Sequence, residues 1–212
     1  YETAINNGIG EVKAIIPESL RKITLDLPHI GYASANSAGS FSSKARDTLL
    51  YASQWSDGVI LTGEYGRNSE TAVVLAELVR SYSKLIIITK DAIDILHSET
   101  KILAGRPETV IVCSFSQLQK FAKEIKDSTP FKYSDDLIHI VEHLHNFTIN
   151  NSCSIITKHG DYLIASYEGT VITTERRDLS ELWCSHIAAK ASTKFIHHSS
   201  NKVQALAETL LS

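Results

Sequence analysis

Apolar positions along this chain follow two periods that alternate. Gly10 to Ile16 (GEVKAII) reads as a strand, and Pro17 to Ile23 as a short helix opened by proline in its first turn. His29 to Ala33 is a weaker strand, and the Ser-rich stretch Ser34 to Ser43 (SANSAGSFSS) is a surface loop. Ser42 to Trp55 then places Ala45, Leu49, Leu50 and Ala52 on one helical face. Gly58 to Leu61 is a short buried strand. Asn68 is the N-cap of a helix over Ser69 to Tyr82, whose inner face is Leu75, Leu78, Val79 and Tyr82. Lys84 to Thr89 (KLIIIT) is apolar at successive positions, as a strand covered on both faces must be, and Thr109 to Cys113 (TVIVC) repeats the signal. Helices are expected at Ser116 to Ile125 and Ser134 to Phe147.

After Phe147 the pattern changes. Cys153 to Lys158, Asp161 to Ser166 and Thr170 to Thr174 are three short β-runs. They are divided by His159-Gly160 and Glu168-Gly169, which fit tight hairpin connections. Helices near Leu179 to His197 and Asn201 to Leu211 close the chain. Alternating β and α elements predict an α/β fold with three layers. The central sheet is mostly parallel, with helices on both faces and antiparallel strands at one edge.

Composition narrows the partners. At 212 residues the expectation is a single domain, 1–212, with a full hydrophobic core. A net charge of −3 gives no electrostatic footprint for nucleic acid. No apolar run approaches the roughly 20 residues of a membrane span. Cys113, Cys153 and Cys184 are odd in number and far apart, which suits free thiols in a reducing, cytoplasmic setting. The chain holds no Met and opens on Tyr1, so it is not expected to begin at its own start codon.

Candidate chemistry comes from loops that follow strands. A Walker loop and a G-x-G-x-x-G are both absent. His139 to His143 (HIVEH) matches H-x-x-E-H, a spacing that can grip Zn²⁺. The helical wheel puts Leu137, Val141 and Leu144 inside and His139, Glu142 and His143 on a solvated face, so no metal site is assigned there. Lys158 and Gly160 flank a turn at a strand end, where an ammonium and an open backbone can meet a phosphate. Asp91 follows the clearest parallel strand and is either a crevice residue or the N-cap of Ala92 to Leu96. Gly63 to Gly66 (GEYG) and Arg67 lie between a strand and a helix, a place where amides can hold an anion.

Taken together, these segments resemble the ribokinase-like NAD(P)H-hydrate dehydratases. That family runs a strand into G-P-G-L-G-R-D, then a helix with E-T near its start, then a strand ending in D-A-D-A-L-N-L-L. The corresponding residues here are DGVILTGEYGRNSETA (57–72) and LIIITKDAIDIL (85–96). AINNGIGEVKAIIPES (4–19) is similar to the family's small-residue helix, Gly-x-Gly turn and strand ending in P-E-S. TVIVCSFSQLQKFAKEI (109–125) occupies the slot of T-P-H-P-G-E, and the 153–174 meander resembles the L-K-G strand pair.

The resemblance implies a ribokinase-like fold whose first strand lies upstream of Tyr1. It implies elimination of water from hydrated NADH or NADPH, coupled to hydrolysis of ATP or ADP, with Mg²⁺, in a homo-oligomer. By position it assigns Gly66 and Asp91 to substrate, Lys158 and Gly160 to nucleotide, and Asp178 to catalysis. Several motif positions differ. Thr62 and Glu64 replace glycines, Thr89 replaces an aspartate, and Phe115 stands where the family has histidine. Only Glu175, Arg176 and Arg177 separate Thr174 from Asp178, where the family has a Gly-rich anion loop. A fold-retaining paralogue that binds without turnover, and a sugar or hydroxymethyl-pyrimidine kinase of the same superfamily, are the alternatives.

Overall fold

A computed structural model describes residues 1–24, 27–63, 65–66, 68–127, 129–177, 179 and 183–211. Its centre is a six-stranded sheet in the order β3 (Gly58–Leu61), β4 (Leu85–Thr89), β5 (Thr109–Ser114), β6 (Ser154–His159), β7 (Tyr162–Tyr167), β8 (Thr170–Glu175). β3 to β6 are parallel, and β7 and β8 return antiparallel. Every residue of β4 is buried, and so are the first five of β5. Two covered faces explain why LIIIT and TVIVC are unbroken apolar runs rather than alternating ones. A separate two-stranded parallel sheet pairs β1 (Ala14–Pro17) with β2 (Ile30–Ala33).

One face carries α2 (Arg46–Gln54), α3 (Ser69–Ser81), α6 (Phe115–Glu124) and α7 (Leu137–Asn150). Their inner residues join Ile86, Ile88, Ile111 and Ile155 in one core cluster. The other face carries α8 (Trp183–His197) and α9 (Lys202–Leu211), packed on Ile87, Val112, Ile156 and Leu163. α1 (Glu2–Asn6) rests on α8. Two short helices, α4 (Asp91–Ile95) and α5 (Thr100–Ala104), connect β4 to β5.

The α3 cap is as expected: the Asn68 side chain accepts from the Thr71 amide at 3.1 Å. At α6 a reciprocal capping box forms between Ser114 and Gln117. Other expectations need correction. β1 starts at Ala14, and Pro17 ends it; only the 3₁₀ turn Glu18–Leu20 follows, because Pro17 sits at ψ 138, outside the helical region. The helix expected from Ser42 begins as a 3₁₀ turn and becomes α2 at Arg46. On α7 the buried residues are Ile140, Leu144, Phe147 and Thr148, so the inner face includes Ile140, which the helical wheel left out, while Val141 is only half-buried. The β6–β7 turn is Gly160-Asp161, since His159 still pairs with Tyr162. Gly160 takes φ 55 at the first turn position, which suits a glycine-led hairpin turn.

Candidate functional site

The carboxyl ends of β3, β4, β5 and β6 all open on one edge of the sheet, the crevice side of a parallel α/β sheet. At the end of β3 the chain turns through Gly63 (φ 138) and Gly66 (φ 62), values that cost little only for glycine. A side-chain carbon at Gly66 would meet nothing within 4 Å, so its backbone faces open space. Tyr65 anchors the loop: its ring lies 6.4 Å from Phe41, and burial pushes its phenol well above the ordinary range. Glu64 and Arg67 lie outside the described residues.

β4 leaves the sheet through Lys90, a non-glycine residue at φ 54. Holding such a residue left-handed costs on the order of 1–3 kcal/mol and needs surrounding support. The support comes from α6: the Gln117 amide donates to the Lys90 carbonyl at 3.0 Å and to the Asp94 carboxylate at 2.8 Å, and Lys120 pairs with Asp94 at 3.1 Å. This sharp exit corrects the capping role considered for Asp91. Lys90 is the N-cap position and Asp91 is already the first helical residue. The Asp91 carboxylate therefore stands in the first turn of α4, at the crevice edge.

β6 ends in Lys158 and His159. Side chains alternate across a strand, so Lys158 falls on the same face as Ile156, under α8 and α9, while His159 falls on the other. The His159 ring sits 4.6 Å from Phe115 and 5.4 Å from Tyr133, and its Nε2 donates to the Asp135 carbonyl at 3.1 Å. Phe115, His159 and the exposed Tyr133 form an aromatic wall at this edge. Gly160 has open space where a Cβ would stand.

α8 runs from this edge toward the opposite one. Its Cys184 lies against Thr89 and Lys90 at the end of β4, and its Ile196 reaches the start of β3 beside Gly58. The positive end of its dipole thus points to the crevice edge. Burial pushes the Cys184 thiol up to about 11, with Thr89 and Lys90 pulling the other way. Just before α8, the 175–177 segment is already engaged. The Arg176 amide donates to the Asp161 carbonyl at 2.7 Å, and Arg177 sits between Glu175 (2.5 Å) and Asp161 (3.5 Å). Asp178 lies outside the described residues. Its neighbour Leu179 lines a cleft of about 310 Å³ with Arg176, Trp183 and Lys190.

The structure therefore brings Gly66, Asp91, Lys158 and Gly160 to one edge. Three strand spacings, about 14 Å, separate the β3 loop from the β6 turn. Lys90, Tyr133 and His159 also stand there and were missed as site residues. Lys90 could have been suspected only from its backbone, and Tyr133 sits in a segment with no period. The HIVEH residues diverge: His139 bonds Asp136 at 2.8 Å at the N-terminus of α7, whereas His143 is half-buried against Phe131. Among the described residues no group of three or more His, Cys, Asp or Glu side chains could hold a metal ion. A Mg²⁺ here would arrive with a nucleotide's phosphates, its usual mode of binding.

No protein-family model matches the chain, and no curated protein does. Solved structures do. A ribokinase-like superfamily protein of Enterococcus faecalis V583 superposes with a TM-score of 0.69 at 11% identity, over 98% of this chain and 68% of its own. A Bacillus subtilis member of the UPF0031 family gives 0.57 at 10% identity, over 98% and 71%. Bacillus subtilis pyridoxal kinase, solved as an ADP complex, gives 0.56 at 12%, over 94% and 89%. At such identities the likeness establishes the fold: this chain has the ribokinase-like α/β architecture.

Proposed function

We propose that the crevice edge binds a purine nucleotide and that its reaction is ATP- or ADP-dependent elimination of water from hydrated NADH or NADPH. The observation that carries the reading is the convergence of Gly66, Asp91, Lys158 and Gly160, spread over 95 positions of sequence, on one edge of a ribokinase-like sheet. One of the neighbours is a kinase solved as an ADP complex, which supports a nucleotide as the ligand of this fold. In this reading Lys158 supplies a point charge to a phosphate, and Gly160 lets the backbone approach it. The open backbone at Gly66 and the Asp91 carboxylate orient the hydrated ring. Asp178, ahead of α8, moves the proton. The nucleotide supplies the phosphate that activates the departing hydroxyl.

A second reading has its own observation. The residues that stand in place of a glycine-rich anion loop already spend their donors, with the Arg176 amide on Asp161 and the Arg177 guanidinium on Glu175 and Asp161. That favours a protein that binds nucleotide without turnover. Thermal unfolding with ADP, ATP and NADPH, followed by a hydrate-turnover assay, separates the two. A ligand at about 100 times its Kd adds roughly 2.7 kcal/mol, a rise of a few degrees for a chain of this size. A shift with turnover that Asp178→Asn abolishes supports the enzyme, and a shift without turnover supports the binding protein. No shift with any of the three removes both.

A further inference from the structure

Three non-glycine residues among those described take positive φ: Lys90 (54), Lys126 (60) and Glu168 (46). Two of them bend where chains ordinarily bend. Lys126 follows the C-terminus of α6, and Glu168 is in the β7–β8 hairpin. Lys90 instead stands at the carboxyl end of β4, inside the crevice edge, and its ψ of −137 borders a region that is essentially reserved for glycine. Glycine would make the same bend without the Cβ clash. The bend therefore gives no reason for a lysine, and the reason lies in the side chain.

That side chain has the surroundings of an anion-binding group. Lys90 is half-buried, and no carboxylate among the described residues pairs with its ammonium. Asp94, on the next turn, is already held by Gln117 and Lys120. The Lys90 carbonyl is turned to Gln117 of α6, whereas its charge is felt by the Cys184 thiol in the first turn of α8. The ammonium thus lies toward the positive end of a 15-residue helix, and an anion between the two relieves both. The ends of β4 and β6 are two strand spacings apart, about 10 Å, a gap that the flexible stems of Lys90 and Lys158 can span from either side. A diphosphate fits that pair of charges better than a single phosphate does.

We propose that Lys90 holds the terminal phosphate of a nucleoside diphosphate whose inner phosphate is at Lys158. Lys90 stands between the β3 loop with Gly66 and the β6 end with Lys158, the place of a group that passes between nucleotide and substrate. This inference rests on the nucleotide reading of the crevice. Calorimetric titration of ADP and of AMP into the parent chain, Lys90→Ala and Lys90→Gly tests it. Alanine removes the charge and keeps the backbone clash, whereas glycine removes both. Both variants are expected to bind ADP about tenfold more weakly than the parent, for the loss of one charge-assisted contact, and to bind AMP as the parent does. Unchanged AMP binding reports that the crevice is intact. Lys90→Gly is expected to melt at a higher temperature than Lys90→Ala, which separates the bend from the charge. Unchanged ADP binding in both variants overturns the proposal and leaves the nucleotide reading standing. A loss with glycine alone overturns it as well, since a loosened backbone would then be the cause. So do equal losses for ADP and AMP, which would take the terminal phosphate away from Lys90. A parent chain that binds neither nucleotide overturns both the proposal and the reading beneath it.

Discussion

At the scale of single residues, the site rests on two kinds of side chain that differ in how visible they are in a sequence. Lys158 and Gly160 are visible because a cation and a glycine at a strand end are unusual neighbours, and the β6–β7 register places both at the crevice edge. Lys158→Ala is therefore expected to weaken ADP binding about tenfold, or 1.4 kcal/mol, while leaving the melting temperature of the free protein unchanged. Titration of the ADP-induced thermal shift measures this, and equal shifts in both proteins would remove Lys158 from the site. His159, Tyr133 and Lys90 were not legible. Nothing local distinguishes a histidine in a hairpin from one wedged between Phe115 and Tyr133, because the wedge is made by a segment 24 or more residues away.

At the scale of elements, the central strands and the starts of α3 and α6 followed from the sequence because their causes are local. Asn68 accepts from the Thr71 amide and fixes where α3 begins. Asn68→Ala is expected to cost about 1 kcal/mol of stability, read from the urea midpoint at constant slope. The β7–β8 connection is equally local. Glu168 (φ 46) and Gly169 (φ 76) both take the left-handed values that a two-residue hairpin turn demands. A Cβ at Gly169 would also lie 2.9 Å from the Ile149 side chain, so Gly169→Ala is expected to be more destabilising than Asn68→Ala in the same measurement. Where elements were misplaced, tertiary contacts had overridden local preference. The Gln117 bonds to Lys90 and Asp94 hold the exit from β4 and put Asp91 inside α4 rather than before it. Ile140 lies on the same helical face as Leu137 and Leu144 and joins Phe131 and Phe147 in the core cluster.

At the scale of the whole molecule, burial of weak acids links stability to alkaline pH. Burial raises the Cys153 thiol to about 12 and Cys184 to about 11, and it raises the Tyr82 and Tyr167 phenols as well. A raised folded pKa contributes stability that is whole below the unfolded pKa and fades as pH climbs toward the folded one. The melting temperature is thus expected to hold to about pH 8.5, the ordinary thiol value, and to fall steadily above it. At pH 8 a thiol reagent should label the native protein far more slowly than the denatured one, and rapid native labelling would contradict the buried thiols. The α/β class, the buried parallel strands, the terminal meander and the starts of α3 and α6 follow from the sequence alone. Each follows from periodicity, capping or turn chemistry acting over a few residues. The tertiary structure alone shows which loops share an edge, that Gly160 and Asp161 make the β6–β7 turn while Lys158 stays in β6, that the Arg176 amide and Arg177 are spent on Asp161, and that among the described residues β1 and β3 each pair on one side. Those facts depend on strand order, which joins residues far apart in the chain.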